Sequence, residues 1–403
     1  MAQMVVDGPS PTNTTGIALY QIDPYKHLDH LGHGAYGYVD KVQDVTLPPP
    51  PVEPVVYARK VIRIRAGWNR ENQLRSARNE FTILNRLNHN HIVSVLDIYQ
   101  CKNRLNIIMR EVADSDLAEY MLNIDGLEFE GSIKNALKFP MQAWSGCLIQ
   151  AIDYLHEMKI KHKDIKPANI LIMKGQVLLA DFGISKDLID QETTASLNSN
   201  GDIGTRMYCA PEVLSEAHRR GRSADIYSFG CVFLEMSTVL LGPKGSLERW
   251  SRHRELSGSR IYSNCHAQIL QWIRHLWGYY ASHLRTCHSL GLAFDDFIVH
   301  GTAPADMGFL MLDPDPKTRI TARQMVAELQ LVNTDFHTSL KLKSCANCRA
   351  FPEMPNPNLP IHSQYKDGID LNYPLNPEEA LGTEVAVSWE EAKRLWLRSH
   401  MWW

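Results

Sequence analysis

The sequence predicts an α+β protein: a small strand-rich N-terminal lobe, a larger mainly helical lobe after it, and a cleft between the two. Three observations carry this expectation. Residues from Tyr25 to about Val112 alternate polar and apolar side chains in strand-like runs broken by a single helical stretch. After "LNIIMREV" the apolar spacing turns helical. The chain has 403 residues, 44% apolar and 22% charged, an ordinary globular composition with room for two lobes and a tail.

Taken in order, residues 1–22 are rich in Pro, Ser, Thr and Gly and read as a disordered leader. The small lobe is expected over 25–112. "HLDHLGHGAYGYVDKVQDV" alternates around a glycine-rich turn, and "VVYARKVIRI" is a further strand. Between them Pro48 to Pro54 cannot join a ladder, because proline has no N–H to donate, and reads as a hairpin insertion. "ENQLRSARNEFTILNRL" places Leu74, Ala77, Phe81 and Leu84 at helical spacing.

The large lobe is expected over 113–332. "MQAWSGCLIQAIDYLHEM" is amphipathic, and "SADIYSFGCVFLEM" is apolar on nearly every side, which is the mark of a buried helix. "RITARQMVAELQLV" opens with Thr321 and Gln324 at capping-box spacing. Residues 333–403 form a Pro- and Asn-rich tail. Ser388 and Glu391 there start a short helix carrying Trp389 and Trp396, expected to dock on the globular part or on a partner.

Composition also excludes some functions. A formal charge of -3 gives no case for nucleic acid. No apolar run is as long as a membrane span, and the N-terminus lacks the apolar core of a signal peptide. The expectation is no membrane, a cytoplasmic and/or nuclear location, and reduced cysteines. Cys345 and Cys348 form one C-x-x-C; even with His337 and His362 in reach, reduced thiols are the preferred reading over zinc.

The chemistry lies in three places. Gly32, Gly34 and Gly37 fit G-x-G-x-x-G, but Val39 follows in a strand where a dinucleotide fold would open a helix. That context favours a hairpin folded over a nucleotide, with no Cβ to keep the backbone from phosphate oxygens. Lys60 sits on the next strand, and Glu80 lies on the apolar face of the helix, an awkward place for a carboxylate without a cation. An ion pair between them would explain both and hold the ammonium toward phosphates. The third place is "IKHKDIKPANILIM", with Asp164, Lys166 and Asn169 inside six residues. Phosphoryl transfer needs a group to orient a hydroxyl, a cation on the moving phosphoryl group, and oxygen ligands for metal. Asp164, Lys166 and Asn169 suit those roles in turn, and Asp181, twelve residues beyond Asn169, adds a second hard ligand suited to Mg2+.

These motifs, in this order, resemble the eukaryotic protein kinases over roughly residues 25 to 332. "GHGAYGYV" is similar to the glycine-rich loop, "YARK" to the strand lysine, "HKDIKPAN" to the catalytic loop; "DFG" at Asp181 and "APE" at Ala210 match letter for letter. Asp225 and Gly230 match the buried-helix pattern, and Arg319 resembles the arginine that pairs with Glu212. The resemblance implies a bilobal kinase fold, with ATP and Mg2+ as cofactors and serine or threonine hydroxyls of proteins as substrates. It implies Met109 as gatekeeper, Glu111 and Val112 as the adenine hinge, and Asp116 near the ribose. Leu31, Val39, Ala58 and Leu171 would enclose the adenine. Thr205 resembles the threonine that bonds the catalytic Asp and Lys in the serine/threonine class, and His162 would pack beneath Phe182.

Two departures stand out. Lys163 replaces the usual arginine, offering a phosphate on the activation segment a point charge instead of a bidentate fork. The distance from Glu212 to Arg319 is long, and the excess, within 248–300, carries Trp272, Trp277 and Tyr280. These form either an enlarged helical core or, like the tail, a partner-docking site. A pseudokinase would be expected to lack one of Lys60, Asp164 or Asp181, and a small-molecule phosphotransferase would lack the APE segment.

Overall fold

The computed structural model describes residues 17–34, 37–45, 55–64, 70–127, 132–181, 206–215, 221–289 and 308–327. The chain divides into two compact units. One holds residues 17–115 with 171–181, the other 116–170 with 206–327. The Pro48–Pro54 insertion, Thr205 and the tail lie outside the described residues.

The first unit is a six-stranded sheet. In chain order its strands are β1 (Ala18–Tyr20), β2 (Tyr25–Gly34), β3 (Gly37–Asp44), β4 (Val56–Arg63), β5 (Val95–Cys101) and β6 (Arg104–Met109), laid out as β1-β5-β6-β4-β3-β2. β1 corrects the reading of residues 1–22 as leader throughout. Ala18, Leu19 and Tyr20 pair in parallel with Tyr99, Gln100 and Cys101, and Ile17 is fully buried. Composition points to disorder, but three residues suffice for a strand when β5 offers an open edge and Tyr20 can set its ring edge-on against Tyr99 at 5.5 Å.

The pleat gives this sheet two different faces. On one, Val42, Tyr99, Cys101 and Ile108 are buried among tyrosines 20, 25 and 57. Arg59 crosses that core, bonding Asp40 through Nε and Nη2 at 3.0 and 2.6 Å and Asp23 through Nη1 at 2.5 Å. Tyr99 Oη accepts from Arg59 and donates to Asp23. Burial opposes the charge on Arg59, but the bonds to Asp40 and Tyr99 hold it protonated. The network ties the β1–β2 connection to β3, β4 and β5. The other face carries Val39, Lys60, Ala58 and Met109, paired across the ladders as Val39 with Lys60 and Ala58 with Met109.

Helix α1 (Arg70–Leu84) packs by the spacing the sequence announces: Leu74, Ala77 and Leu84 are buried. A hairpin of β7 (Ile170–Met173) and β8 (Gln176–Leu179) turns on Lys174 and Gly175, both at positive φ, a primed turn matched to strand twist. Most of it belongs to the first unit, although a linear reading puts it in 113–332. Val93 N donates to Leu179 O, Leu179 N to His91 O, and His91 Nδ1 to Val177 O at 2.7 Å.

The second unit is helical: α2 (Leu117–Asp125), α3 (Ser132–Glu157), α4 (Arg222–Leu241), α5 (Ser246–Glu255) and α6 (His266–Ser289). α3 runs through Pro140 and so starts before the amphipathic stretch read from sequence. Asp125, at the end of α2, supplies the cap that α5 lacks: its two oxygens accept from Ser246 N and Leu247 N at 3.0 and 3.1 Å. α4 is buried over nearly its whole length. It is long and apolar enough to cross a membrane, which the sequence reading did not grant any segment, but 89% of that stretch is buried inside protein, as in a core helix. Gly230 allows this packing, since a Cβ there would lie 2.8 Å from Met311 Cβ. Trp272 stacks on Trp250 at 5.4 Å and bonds Thr238, so it is core; the side chains of Trp277 and Tyr280 lie outside the described residues. The capping box forms as read: Thr321 N donates to Gln324 Oε1, and Gln324 N to Thr321 Oγ1.

His89 gives the first unit a pH dependence. Its Nδ1 accepts from the backbone N–H of His91 at 3.1 Å. Burial, with His91 beside it, pulls the imidazole down from 6.5 to about 4. A base with a depressed folded pKa is protonated first in the unfolded chain, so its stabilisation is complete above about pH 6.5 and drains away toward pH 4. Denaturant midpoints across that window should fall for the wild type and fall less for His89→Asn, which keeps an acceptor but has no proton to gain. Superimposable pH profiles would contradict this.

Candidate functional site

The expected nucleotide-binding residues from Leu31 to Met109, with Glu111, Val112, Leu171 and Asp181, fall in the first unit. Gly34 pairs with Gly37 across the turn between β2 and β3. Gly37 is needed sterically, because a Cβ there would collide with the Val61 carbonyl oxygen, whereas one at Gly32 would meet nothing within 4 Å. Met109 closes β6, buried and opposite Ala58, and Leu31 is 40% exposed. Glu111 accepts from Ser94 N at 2.9 Å, which fixes the segment that follows β6.

Lys60 is held by Asp181: Nζ lies 2.6 Å from Oδ1, and the pair is partly exposed. The pair expected from sequence was with Glu80; that residue's backbone lies in α1, while its side chain is outside the described residues. Asp181 has φ 61, the left-handed region a non-glycine residue occupies only under local constraint. Lys60 takes one carboxylate oxygen and leaves Oδ2 for a ligand.

In the second unit the catalytic-loop residues converge on one another. Lys166 Nζ and Asn169 Nδ2 each lie 3.0 Å from Asp164 Oδ2, and Asn169 Nδ2 also donates to the Asp164 carbonyl at 2.7 Å. The turn Pro167–Asn169 sets this spacing, with Asn169 N donating to Lys166 O. Sequence reasoning registered Asp225 only as a pattern match. In the structure it anchors the loop, accepting from His162 N at 3.0 Å, Lys163 N at 2.9 Å and His156 Nε2 at 3.1 Å. Lys163 sits at φ 70, so the grip of Asp225 holds a strained backbone in place. Asp116, expected near a ribose, also caps α2, its Oδ1 accepting from Glu119 N at 2.9 Å.

The APE segment is fixed from both ends. Tyr208 Oη donates to Glu235, as does Tyr262 Oη at 2.6 Å, and Ser228 Oγ donates to Tyr208 O. Burial raises the Glu235 carboxyl, while the Tyr262 bond, Arg254 and Tyr208 pull it back. Glu212 receives Arg319 through two nitrogens, at 2.7 and 3.0 Å, as the sequence reading anticipated. Arg319 is fully buried, and it lies 4.9 Å over the Tyr227 ring.

Fold and side-chain arrangement together define an architecture of protein-kinase type. The family profile of the protein kinase domain matches residues 25–329, and the chain belongs to that family. It is 31% identical over 214 residues, 53% of this chain and 64% of the relative, to "Cell division control protein 2 homolog 1" of Trypanosoma brucei brucei. It is 28% identical over 221 residues, 54% of this chain and 57% of the relative, to "Cyclin-dependent kinase-like 4" of Mus musculus. The chain thus spans less than two thirds of the length of these curated relatives.

Removing Glu212 should strand the Arg319 guanidinium in the core. Breaking one side of a buried pair costs roughly 3–5 kcal/mol, so Glu212→Ala should lose that much in chemical denaturation. A loss below about 1 kcal/mol, the value of a surface pair, would mean that the neighbouring carbonyls carry the charge alone.

Proposed function

We propose that this chain transfers the γ-phosphoryl group of ATP to serine or threonine hydroxyls of protein substrates. The observation that carries the reading is the Asp164 carboxylate, gripped by Lys166 and Asn169 on a loop whose backbone Asp225 immobilises. A carboxylate so placed orients a hydroxyl and accepts its proton, and Lys166, two residues on, brings a cation to the phosphoryl group. Family membership and the names of both relatives support the same class.

The residues present fit ATP and Mg2+. On one face of the sheet Val39, Ala58 and Met109 offer apolar side chains for a base, and Lys60 a cation for phosphate oxygens. Asn169 uses its amide nitrogen on Asp164, which leaves the side-chain oxygen for a ligand. Each unit thus offers a hard oxygen donor of the type Mg2+ takes alongside water and phosphate, Oδ2 of Asp181 in the first and the Asn169 side-chain oxygen in the second. The ion neutralises charge on the phosphates; the chain's own part is to position and to hold the proton. Lys166 and Thr205 favour serine and threonine over tyrosine.

Purified protein with labelled ATP, Mg2+ and a degenerate peptide library should yield phosphoserine and phosphothreonine. Asp164→Asn should lower turnover by about 10²–10⁴-fold while ATP still binds, and Asp181→Ala should weaken Mg2+-dependent ATP binding too. Near-wild-type labelling by Asp164→Asn would overturn the assignment, and mainly phosphotyrosine would overturn the specificity.

A further inference from the structure

β2 carries histidine at every third position, His27, His30 and His33, in the run HLDHLGH. On a regular strand, residues three apart face opposite sides of the sheet. Here the ladder slips between His27 and Asp29 and again between His30 and Gly32, leaving Leu28 and Leu31 as the extra residues of two bulges. The three histidines therefore pair with Val42, Asp40 and Tyr38, alternate positions of β3, and share one face. His27 turns Nδ1 to Asp40 at 2.9 Å. His30 and His33 turn to each other: Nε2 of the first lies 2.8 Å from Nδ1 of the second, the ring centroids are 4.0 Å apart, and the pair is exposed. Tyr38 flanks both rings, with its hydroxyl bonded to Arg104 at 3.1 Å.

We propose that His30 and His33 form a two-imidazole site for a late first-row divalent ion, with Zn2+ as the test ion. Imidazole nitrogens bind such ions at about 2.0–2.1 Å, so two ligands at a right angle stand about 2.9 Å apart and two at a tetrahedral angle about 3.3 Å. The observed separation meets the first, and a shift of about half an ångström between exposed rings meets the second. Two neutral rings share one proton in this contact. When the ion takes its place, the donor ring keeps its proton by moving it to its other nitrogen, so no proton is released. No group of three His, Cys, Asp or Glu able to hold a metal occurs among the described residues, so water completes the coordination. The ion would bind together residues on either side of Leu31 and Gly32, next to the glycine turn. If that turn covers phosphates, as the glycine motif leads one to expect, bound Zn2+ slows turnover.

The test uses the full chain without a histidine tag. Imidazole NMR during Zn2+ titration should shift the His30 and His33 signals together, ahead of His27. His30→Gln should weaken the response of His33 at least tenfold, His33→Gln should do the same to His30, and His27→Gln should do neither. Signals of His30 and His33 that stay still while other histidines respond would overturn the site, as would an unchanged His33 response in His30→Gln. Because binding is read without turnover, this result is separate from the kinase reading. Equal Zn2+ inhibition of wild type and the His30→Gln/His33→Gln double variant would overturn only the restraint on the turn.

Discussion

One buried carboxylate organises the second unit. Asp225 stands in the first turn of α4, where the helix dipole favours a negative charge. From there it receives three N–H groups from α3 and the catalytic loop. The loop backbone is constrained at this point: Lys163 is at positive φ, and its N–H and that of His162 both donate to Asp225. α4 provides a rigid base because it is buried almost end to end, with Gly230 letting Met311 and Leu312 approach. The reach of Asp164, and with it of Lys166 and Asn169, is thus set by a residue that takes no part in the chemistry.

Among the described residues, each unit has a buried guanidinium that joins segments far apart in sequence. Arg59 links Asp23, Asp40 and Tyr99; Arg319 links Glu212, Ser223 and Asp313. Such pairs are weak evidence for net stability, since desolvating the charges offsets much of the attraction. Their effect is on register. The forks accept few alternative arrangements, so the β1–β2 connection and the APE segment are each held in one place.

Local signals were the legible ones. Helix spacing in α1, the Thr321–Gln324 box and the order of the glycine turn, Lys60, Asp164 and Asp181 depend on neighbours in sequence, and periodicity or motif exposes them. The Glu212–Arg319 pair came through resemblance alone, with no local signal. What stayed hidden was tertiary. β1 exists because β5 has an edge to pair with, against the local composition. The β7–β8 hairpin joins the first unit through His91 and Leu179, a bond pattern that no periodicity announces. The cap that Asp116 makes on α2 is likewise read only from the structure. The bulges at Leu28 and Leu31 break the period-two rule by which strands are read, so the common face of the three histidines emerges only with the ladder.

The most direct test of this account is amide hydrogen exchange on Asp225→Asn, read together with turnover. Asparagine keeps the size of the side chain but sets an N–H against one of the loop N–H donors, leaving a buried group unpaired. Exchange at His162 and Lys163 should then speed up by more than tenfold, and the proposed phosphoryl transfer should fall with it. Unchanged protection of those two amides with wild-type turnover would contradict the claim that Asp225 positions the catalytic loop.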